Sequence, residues 1–190
     1  MKKNQTLIWE PLTKKQIWAT PVVTVNEVES IAPDKKPKKL TTLSAPNWVI
    51  TIPIVTGKDG IEYFLMVKQW RHGSACISVE FPGGVVDEGE NTETAAQREL
   101  LEETGRKAQS ITLLAEVFPN PAIMENKSFI YLAHCDAEVH NQTLDADEFV
   151  AVEMITVTEL LKKMGTPPYD HALMCTALFF YMQHEGMLLK

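Results

Sequence analysis

One stretch of the chain, residues 84–106, constrains the fold more than any other. It reads Gly-Val-Val-Asp-Glu-Gly-Glu-Asn-Thr-Glu-Thr-Ala-Ala-Gln-Arg-Glu-Leu-Leu-Glu-Glu-Thr-Gly-Arg. Asn91 or Thr92 can cap a helix here, because both side chains can accept a hydrogen bond from a free amide of the first turn. Strong helix formers follow, and Gly105 suits the left-handed residue that commonly ends a helix. The stretch therefore predicts a helix with both ends marked in the sequence.

Three glutamates on this helix indicate a cation site. Glu99, Glu102 and Glu103 are spaced i, i+3 and i+4, so they share one helix face. Carboxylates at this short spacing repel one another, unless a hard divalent cation, which prefers oxygen ligands, lies among them. Arg98 precedes Glu102 by four residues and can pair with it. A charged face in solvent would explain these residues alone, but it would not explain the glycines and Glu90 that precede them.

The segment before the helix predicts a strand, a loop and then the helix. Ile77–Phe81 alternates between apolar and polar residues and is typical of a strand. Pro82, Gly83 and Gly84 then break the strand. Glycines let the backbone come close to a ligand, and a bare carbonyl can bind a metal ion. An ordinary turn is the alternative interpretation of these three residues.

Residues 84–106 resemble the Nudix box in residue type and in spacing. The box reads G-x5-E-x7-R-E-U-x-E-E-x-G-U, in which U is aliphatic. All seven fixed residues are present, and the only departure is Arg106 at the last position. The stem of an arginine can partly cover the apolar contact that this position normally makes. The resemblance implies hydrolysis of a pyrophosphate linked to a nucleoside, and an α/β/α sandwich with a mixed β-sheet. It also implies Mg²⁺ or Mn²⁺ as cofactor, held by Glu99, Glu102, Glu103 and the carbonyl of Gly83.

Outside the box the chain is similar to ADP-ribose pyrophosphatases and related nucleoside-diphosphate-sugar hydrolases. Val67–Arg71, Val-Lys-Gln-Trp-Arg, resembles their V-x-Q-Y-R, and Glu80–Gly84 resembles their E-x-P-A/G-G. Pro121 lies sixteen residues after Gly105, where that subgroup carries a proline. An N-terminal strand region also precedes the core. The resemblance implies that ADP-ribose is split into AMP and ribose 5-phosphate, with the preferred base and sugar left open.

The resemblance also assigns roles to individual side chains. Glu102 and Arg98 belong to the catalytic helix, and Arg71 and Glu80 contact the substrate. Trp18, together with Trp9 and Trp48, is a candidate for stacking on the base, although a tryptophan in a strand region is more often part of a core. A general base often comes from a loop after the box, and three carboxylates are candidates here. They are Asp145, Asp147 and Glu148, of which we prefer Glu148 because it directly precedes a strand.

The remaining pattern predicts two regions, residues 1–44 and residues 45–190. Residues 16–31 are β-branched and indicate one or two strands, and Asp34–Lys39 is typical of a solvated hairpin loop. Strands are further predicted near residues 48–56, 62–69, 111–118, 127–134 and 149–155. After them we predict a helix capped by Thr158 and a last helix that begins at Tyr169-Asp170.

Composition limits the partners. The chain has 190 residues, of which 45% are hydrophobic and 23% charged, which is typical of one globular protein. Its net charge of −7 argues against nonspecific binding to nucleic acid or to an anionic membrane. The three cysteines have no CxxC spacing and predict reduced, mostly buried thiols in a cytoplasmic protein. No signal peptide or membrane-spanning run is evident.

Two alternative functions and one assembly state are considered from the same residues. A catalytically silent Nudix domain that only binds a ligand would be expected to lose box carboxylates, and this chain keeps all of them. A MutT-type nucleoside-triphosphate hydrolase would be shorter and would lack the N-terminal strands. The resemblance to ADP-ribose hydrolases further implies a homodimer in which the N-terminal strands pack on, or swap with, the partner.

Overall fold

The computed structural model describes residues 7–136, 138–146 and 148–189, which divide into two compact units. The first unit contains the chain up to Pro46 together with Phe118–Lys127. The second contains Asn47–Val117 and the chain from Ser128 onward. Residues 118–127 therefore group with the N-terminal strands, although they lie far from them in the sequence. As a functional division, the split at residue 44 stays a prediction.

Three antiparallel strands build the first unit: β1 (Glu10–Ala19), β2 (Thr24–Ile31) and β3 (Pro37–Ser44), in the order β1-β2-β3. The prediction of strands within residues 16–31 is confirmed. The prediction of a loop over 34–39 is wrong for its second half, because Lys38 and Lys39 lie in β3 opposite Ser30 and Glu29. Lys39 Nζ also binds Glu27 Oε1 at 2.8 Å, so pairing with β2 outweighs the loop character of the sequence.

Glu125 attaches the segment 118–127 to this small sheet. Its Oε2 accepts hydrogen bonds from Lys14 Nζ and Ser44 Oγ, both at 2.6 Å, and its Oε1 accepts from Thr42 Oγ1 at 2.6 Å. The Leu43 amide donates to the Ile123 carbonyl at 2.7 Å, which adds a backbone connection. The hydrogen bonds to the carboxylate, that from Lys14 first, lower the pKa of Glu125 to about 2.

The second unit is a six-stranded mixed sheet between helices. The six strands are β4 (Trp48–Thr56), β5 (Glu62–Arg71), β6 (Cys76–Glu80), β7 (Ala108–Val117), β8 (Ser128–Cys135) and β9 (Ala151–Thr156). Their order is β6-β5-β4-β8-β7, and β9 pairs with β5. Strands β4 and β8 are parallel, whereas the other pairs are antiparallel.

Apolar residues cover both faces of this sheet. On one face α1 (Thr92–Thr104) packs through Leu100 against Leu65. On the other face α2 (Val157–Lys163) and α3 (Ala172–His184) pack on a larger core that contains Phe64 and Tyr181, whose ring centroids are 4.9 Å apart. The predicted α/β/α sandwich with a mixed sheet is confirmed. A short 3-10 turn, Met187–Leu189, follows α3.

The last two helices begin at other residues than predicted. Thr156, not Thr158, caps α2, because the Thr156 hydroxyl accepts a hydrogen bond from the Glu159 amide at 3.2 Å. The residue before α3 is His171 rather than Tyr169-Asp170. Tyr169 is instead buried, and its hydroxyl donates to Glu153 Oε1 at 2.8 Å. Because this tyrosine packs in the core, α3 begins after it, at Ala172.

The solvent exposure of some cysteine and tryptophan side chains differs from what the sequence predicts. Cys135 is buried, but Cys76 at the start of β6 is exposed, so the expectation of buried thiols is wrong for Cys76. Trp18 is 62% exposed on β1 and Trp9 is 40% exposed, so neither is part of a core within its unit. Among the helices of the described ranges, none is long and apolar enough to cross a membrane.

Candidate active site

The candidate site is built on α1, whose two ends are those that the sequence marks. The Asn91 side chain accepts a hydrogen bond from the Glu93 amide at 2.8 Å and caps the first turn. Gly105 has a φ of 66° and donates its amide to the Leu101 carbonyl at 2.8 Å. Because only residues tolerant of the left-handed region end a helix in this way, the box glycine fixes where the carboxylate-bearing helix stops.

Arg98 is the centre of the hydrogen bonds in this helix. Its Nη1 donates to Glu99 Oε1 at 2.9 Å and to Glu102 Oε2 at 3.0 Å. Its Nε and Nη2 bind both oxygens of Glu90 at 3.0 Å, and Nη2 also donates to the Val85 carbonyl at 3.0 Å. One guanidinium thus connects the loop to two carboxylates of the helix, which explains why the box has a glutamate eight residues before its arginine.

Glu103 turns away from Arg98 and toward the glycine loop. Its Oε2 accepts a hydrogen bond from the Gly83 amide at 2.8 Å, and the residue is only 4% exposed. Burial raises the pKa of Glu103 to about 8 in spite of that hydrogen bond, and the negative charges of Glu99 and Glu148 add to the rise. Burial also raises the pKa of Glu99, although Arg98 opposes the change. A cation beside Glu103 would therefore favour the ionised form of this carboxyl group.

Other atoms approach both loop glycines closely: backbone atoms at Gly83, and the Glu99 carboxylate at Gly84. A Cβ on Gly84 would lie 2.3 Å from Glu99 Oε1, and a Cβ on Gly83 would lie 2.1 Å from the Val49 carbonyl oxygen. The Thr51 and Val49 amides donate to the carbonyls on either side of Gly83, those of Pro82 and Gly84, at 2.9 Å each. Successive carbonyls of an extended chain point to opposite sides, so the Gly83 carbonyl is directed away from β4.

The residues that the sequence assigns to metal are thus gathered at one end of α1 and the loop before it. As they are arranged here, the described His, Cys, Asp and Glu side chains do not form a group of three or more around a point where a metal ion could bind. Glu99 and Glu102 instead face Arg98, and Glu103 faces the Gly83 amide. The donor set fits a hard cation in its chemistry, since it consists of carboxylate oxygens, and a cation would offset the burial that raises the pKa of Glu99 and of Glu103. The metal assignment stays a prediction.

Arg71 and Glu80, both predicted to contact substrate, bind each other. Arg71 Nε donates to Glu80 Oε1 at 2.8 Å and Nη2 to Oε2 at 2.7 Å, a two-point contact. Glu80 is 2% exposed, whereas the Arg71 side chain is 43% exposed. Burial alone would raise the pKa of Glu80, but the hydrogen bonds and charge of Arg71 outweigh it and lower the pKa. The buried partner thus holds a guanidinium whose outer edge remains accessible.

The other predicted site residues lie in different environments. Glu148 is exposed in the loop before β9, and its Oε2 accepts from the Asp145 amide at 3.1 Å. Its negative charge adds to the raised pKa values of Glu99 and Glu103, which burial mainly causes. Asp147 lies outside the described residues. Trp18 belongs to the first unit and is exposed there.

Sequence reasoning missed one group of residues beside the site. His140, Gln142 and Thr143 donate hydrogen bonds to backbone carbonyls at the C-terminal end of α1. Loop residues of this kind have no fixed spacing from the box, so a motif does not find them. The one sequence signal was the departure at Arg106, whose Nη1 donates to the carbonyls of Asp136 at 3.1 Å and Glu138 at 3.3 Å.

Comparison with known proteins agrees with this architecture. The chain is 30% identical over 177 residues to the ADP-ribose pyrophosphatase of Bacillus subtilis, covering 93% of this chain and 94% of that protein. It is 29% identical over 148 residues to the ADP-sugar pyrophosphatase of Mus musculus, covering 78% of this chain and 57% of that protein.

A solved structure and a family model complete the comparison. The crystal structure of an ADP compounds hydrolase superimposes with a TM-score of 0.75 at 20% identity, and the match covers 93% of this chain and 96% of that one. At that identity the likeness shows the fold. The NUDIX domain model matches residues 46–174, which include the whole site described above in the second unit. The chain therefore belongs to the Nudix family of hydrolases.

Proposed function

We propose that the protein hydrolyses the pyrophosphate bond of a nucleoside diphosphate linked to a sugar, with ADP-ribose cleaved to AMP and ribose 5-phosphate. The observation that carries this proposal is the similarity, along nearly its whole length, to a protein named ADP-ribose pyrophosphatase. The intact box supports it, since Glu90, Arg98 and the three helix carboxylates are all in place and hydrogen-bonded as described.

Nudix hydrolases generally use divalent metal ions, and we propose Mg²⁺ or Mn²⁺ for this chain. Glu99, Glu102, Glu103 and the Gly83 carbonyl would hold the ion. When bound, such an ion neutralises phosphate charge and lowers the pKa of water. A cation there would offset the effect of burial, which raises the pKa of Glu99 and of Glu103. Arg98 would orient Glu99 and Glu102 by the contacts that it makes with both.

The remaining residues would bind substrate and move a proton. The exposed edge of Arg71 would contact the anionic substrate, while Glu80 fixes the guanidinium from behind. Glu148 would accept the proton of the attacking water, because it is the described loop carboxylate whose charge acts on both Glu99 and Glu103. Trp18, exposed on β1, would stack on the base.

A substrate panel tests the proposal directly. ADP-ribose, GDP-mannose, UDP-glucose, NADH and 8-oxo-dGTP would be incubated with the enzyme and Mg²⁺ or Mn²⁺, and the products separated by chromatography. We expect kcat/KM to be highest for ADP-ribose, with AMP and ribose 5-phosphate as products and no turnover in EDTA. A preference for 8-oxo-dGTP would favour a MutT-type function, and no turnover of any compound would favour a ligand-binding domain.

We further propose that the protein is a cytoplasmic homodimer that acts on free nucleotides rather than on nucleic acid or membranes. Every residue of β1 is exposed in the single chain, and Leu12, Ile17 and Trp18 are at least half exposed. Apolar surface on an edge strand favours pairing with a second copy. Light scattering should give the dimer mass, and Trp18→Glu should lower it. Gln16→Glu, on the same strand, is the matched control and should remain dimeric.

A further inference from the structure

The C-terminal end of α1 is covered by a short segment of the chain, residues 140–143. The last four carbonyls of a helix have no partner within it and need donors from elsewhere. The His140 amide donates to the Gly105 carbonyl at 2.7 Å, and the Thr143 amide donates to the Glu102 carbonyl at 3.0 Å. Gln142 Nε2 donates to the Glu103 carbonyl. Two of the three acceptors belong to residues whose side chains form the carboxylate face.

Gly105 has a second role in this contact, apart from its positive φ. A Cβ at this position would lie 2.0 Å from the His140 carbonyl oxygen. The glycine that ends the helix therefore also lets residues 140–143 approach its backbone. The packing is close enough that a displacement of one side would displace the other.

Arg106 holds the chain just before residues 140–143. Its Nη1 donates to the Asp136 and Glu138 carbonyls, and its own amide donates to Thr104 Oγ1 at 3.2 Å. The box pattern has an aliphatic residue here, which could make neither side-chain hydrogen bond. Arg106, the residue that departs from the box pattern, thus binds the chain that leads into residues 140–143.

Gln142 also reaches the far end of the loop. The same Nε2 that binds the Glu103 carbonyl lies 3.5 Å from the Val150 carbonyl, just before β9. Between residues 142 and 150 lies Glu148, in a turn closed by the hydrogen bond from its amide to the Asp145 carbonyl at 3.0 Å. One side-chain amide therefore connects both ends of the Glu148 loop to the backbone of the carboxylate helix.

We infer that Gln142, with Arg106, is a positioning residue that sets the distance between Glu148 and the carboxylate face of α1. The inference rests on the proposed function, in which Glu148 is the general base. Its physical basis is that the loop is exposed and would otherwise move relative to the helix, and a misplacement of 1 Å can cost about a hundredfold in rate. Hydrogen bonds to backbone carbonyls fix the loop without using the helix side chains.

Gln142→Met tests the inference, because methionine has a similar length and no donor. We expect kcat for ADP-ribose to fall at least about tenfold with KM within about twofold. Asn141→Ala is the control and should keep the wild-type kcat, because the Asn141 side chain makes no hydrogen bond with the part of the chain that the structure describes. Arg106→Leu, which restores the aliphatic residue of the box, should lower kcat in the same direction. An unchanged kcat in Gln142→Met would overturn the inference.

Two further measurements separate positioning from simple stability. In the double variant Gln142→Met/Glu148→Gln, kcat should equal that of Glu148→Gln alone, because a base that is absent cannot be misplaced. Fully additive losses would overturn the inference. Hydrogen exchange on the full chain without substrate should show faster exchange of the His140 and Thr143 amides in Gln142→Met. This readout does not depend on activity, so a failure of the proposed substrate would leave it intact, and unchanged exchange would refute the contact itself.

Discussion

Gly84 lies against the carboxylate of Glu99 so closely that a Cβ at position 84 would be 2.3 Å from Oε1. The loop glycine therefore makes the space that a carboxylate of the proposed metal site occupies. This contact couples the backbone of one segment to the chemistry of another, and it explains why the first residue of the box is a glycine although its φ is not in the left-handed region.

We predict that Gly84→Ala folds but loses about a hundredfold in kcat for ADP-ribose, because Glu99 must move by about 1 Å. Kinetics at saturating metal, with circular dichroism to check the fold, would measure this. Gly73→Ala is the control, since a Cβ there meets nothing within 4 Å. Equal activities of the two variants would contradict the role of Gly84.

Glu103→Gln should leave the fold intact and lower kcat about a thousandfold, equivalent to about 4 kcal/mol of barrier. A neutral amide is a poor ligand for a hard dication. Glu88→Gln is the matched control, because Glu88 is an exposed glutamate of the same box. Activity of Glu103→Gln within threefold of wild type would refute the metal assignment.

Glu148→Gln should lower kcat with little change in KM, because a general base acts on water and not on ground-state binding. The comparison is with Asp145→Asn, in the same turn. We expect the Asp145 variant to be the milder of the two. The reverse order would move the base to Asp145, and a mild effect of both would direct attention to Asp147.

Acid should weaken the first unit through Glu125. Its pKa is lowered to about 2 from 4.5, so its contribution to stability is complete above about pH 4.5 and is lost as the pH falls toward 2. Urea unfolding should show Glu125→Gln less stable than wild type at pH 7, with the difference shrinking below about pH 4. Glu10→Gln, on β1 of the same unit, serves as control. A difference that does not depend on pH would contradict the role of the carboxylate charge.

The Arg71–Glu80 pair should be costly to break on one side only. Arg71→Met leaves a buried carboxylate without its cation, and we expect a loss of about 3 kcal/mol in the free energy of unfolding. The double variant Arg71→Met/Glu80→Leu should recover most of it, because no buried charge is then left. Chemical denaturation of the single and double variants measures this coupling. Additive losses would show that the two residues act independently.

The sequence predicts the site better than it predicts the loops that hold it. The box spacing places Glu99, Glu102 and Glu103 on α1, and it predicts both caps and the contact between Arg98 and Glu102. These features depend on helix periodicity, which is local. Residues with a fixed offset from one another are therefore recovered from the sequence.

What the sequence did not predict depends on contacts between distant segments. The Arg71–Glu80 pair forms because β5 and β6 pair in one register, and the contacts of Gln142 form because a loop folds back on a helix end. The start of α3 was misplaced because Tyr169 is needed in the core and at Glu153. In each case a tertiary contact determines the position of the residue, and a local sequence pattern carries no information about that contact.

The grouping of residues 118–127 with the N-terminal strands has a consequence for the modularity of the protein. The chain passes between its two units three times, after residues 46, 117 and 127. Removing residues 1–44 would therefore not excise a domain: Glu125 would remain, without Lys14, Thr42 and Ser44. A protease cut near residue 46 would leave the preceding strands held to segment 118–127 only by non-covalent contacts such as those of Glu125. The N-terminal strands and the hydrolase core are thus not independent modules. A recombination event that exchanged the N-terminal strands would also have to exchange segment 118–127, which lies within the sequence of the core.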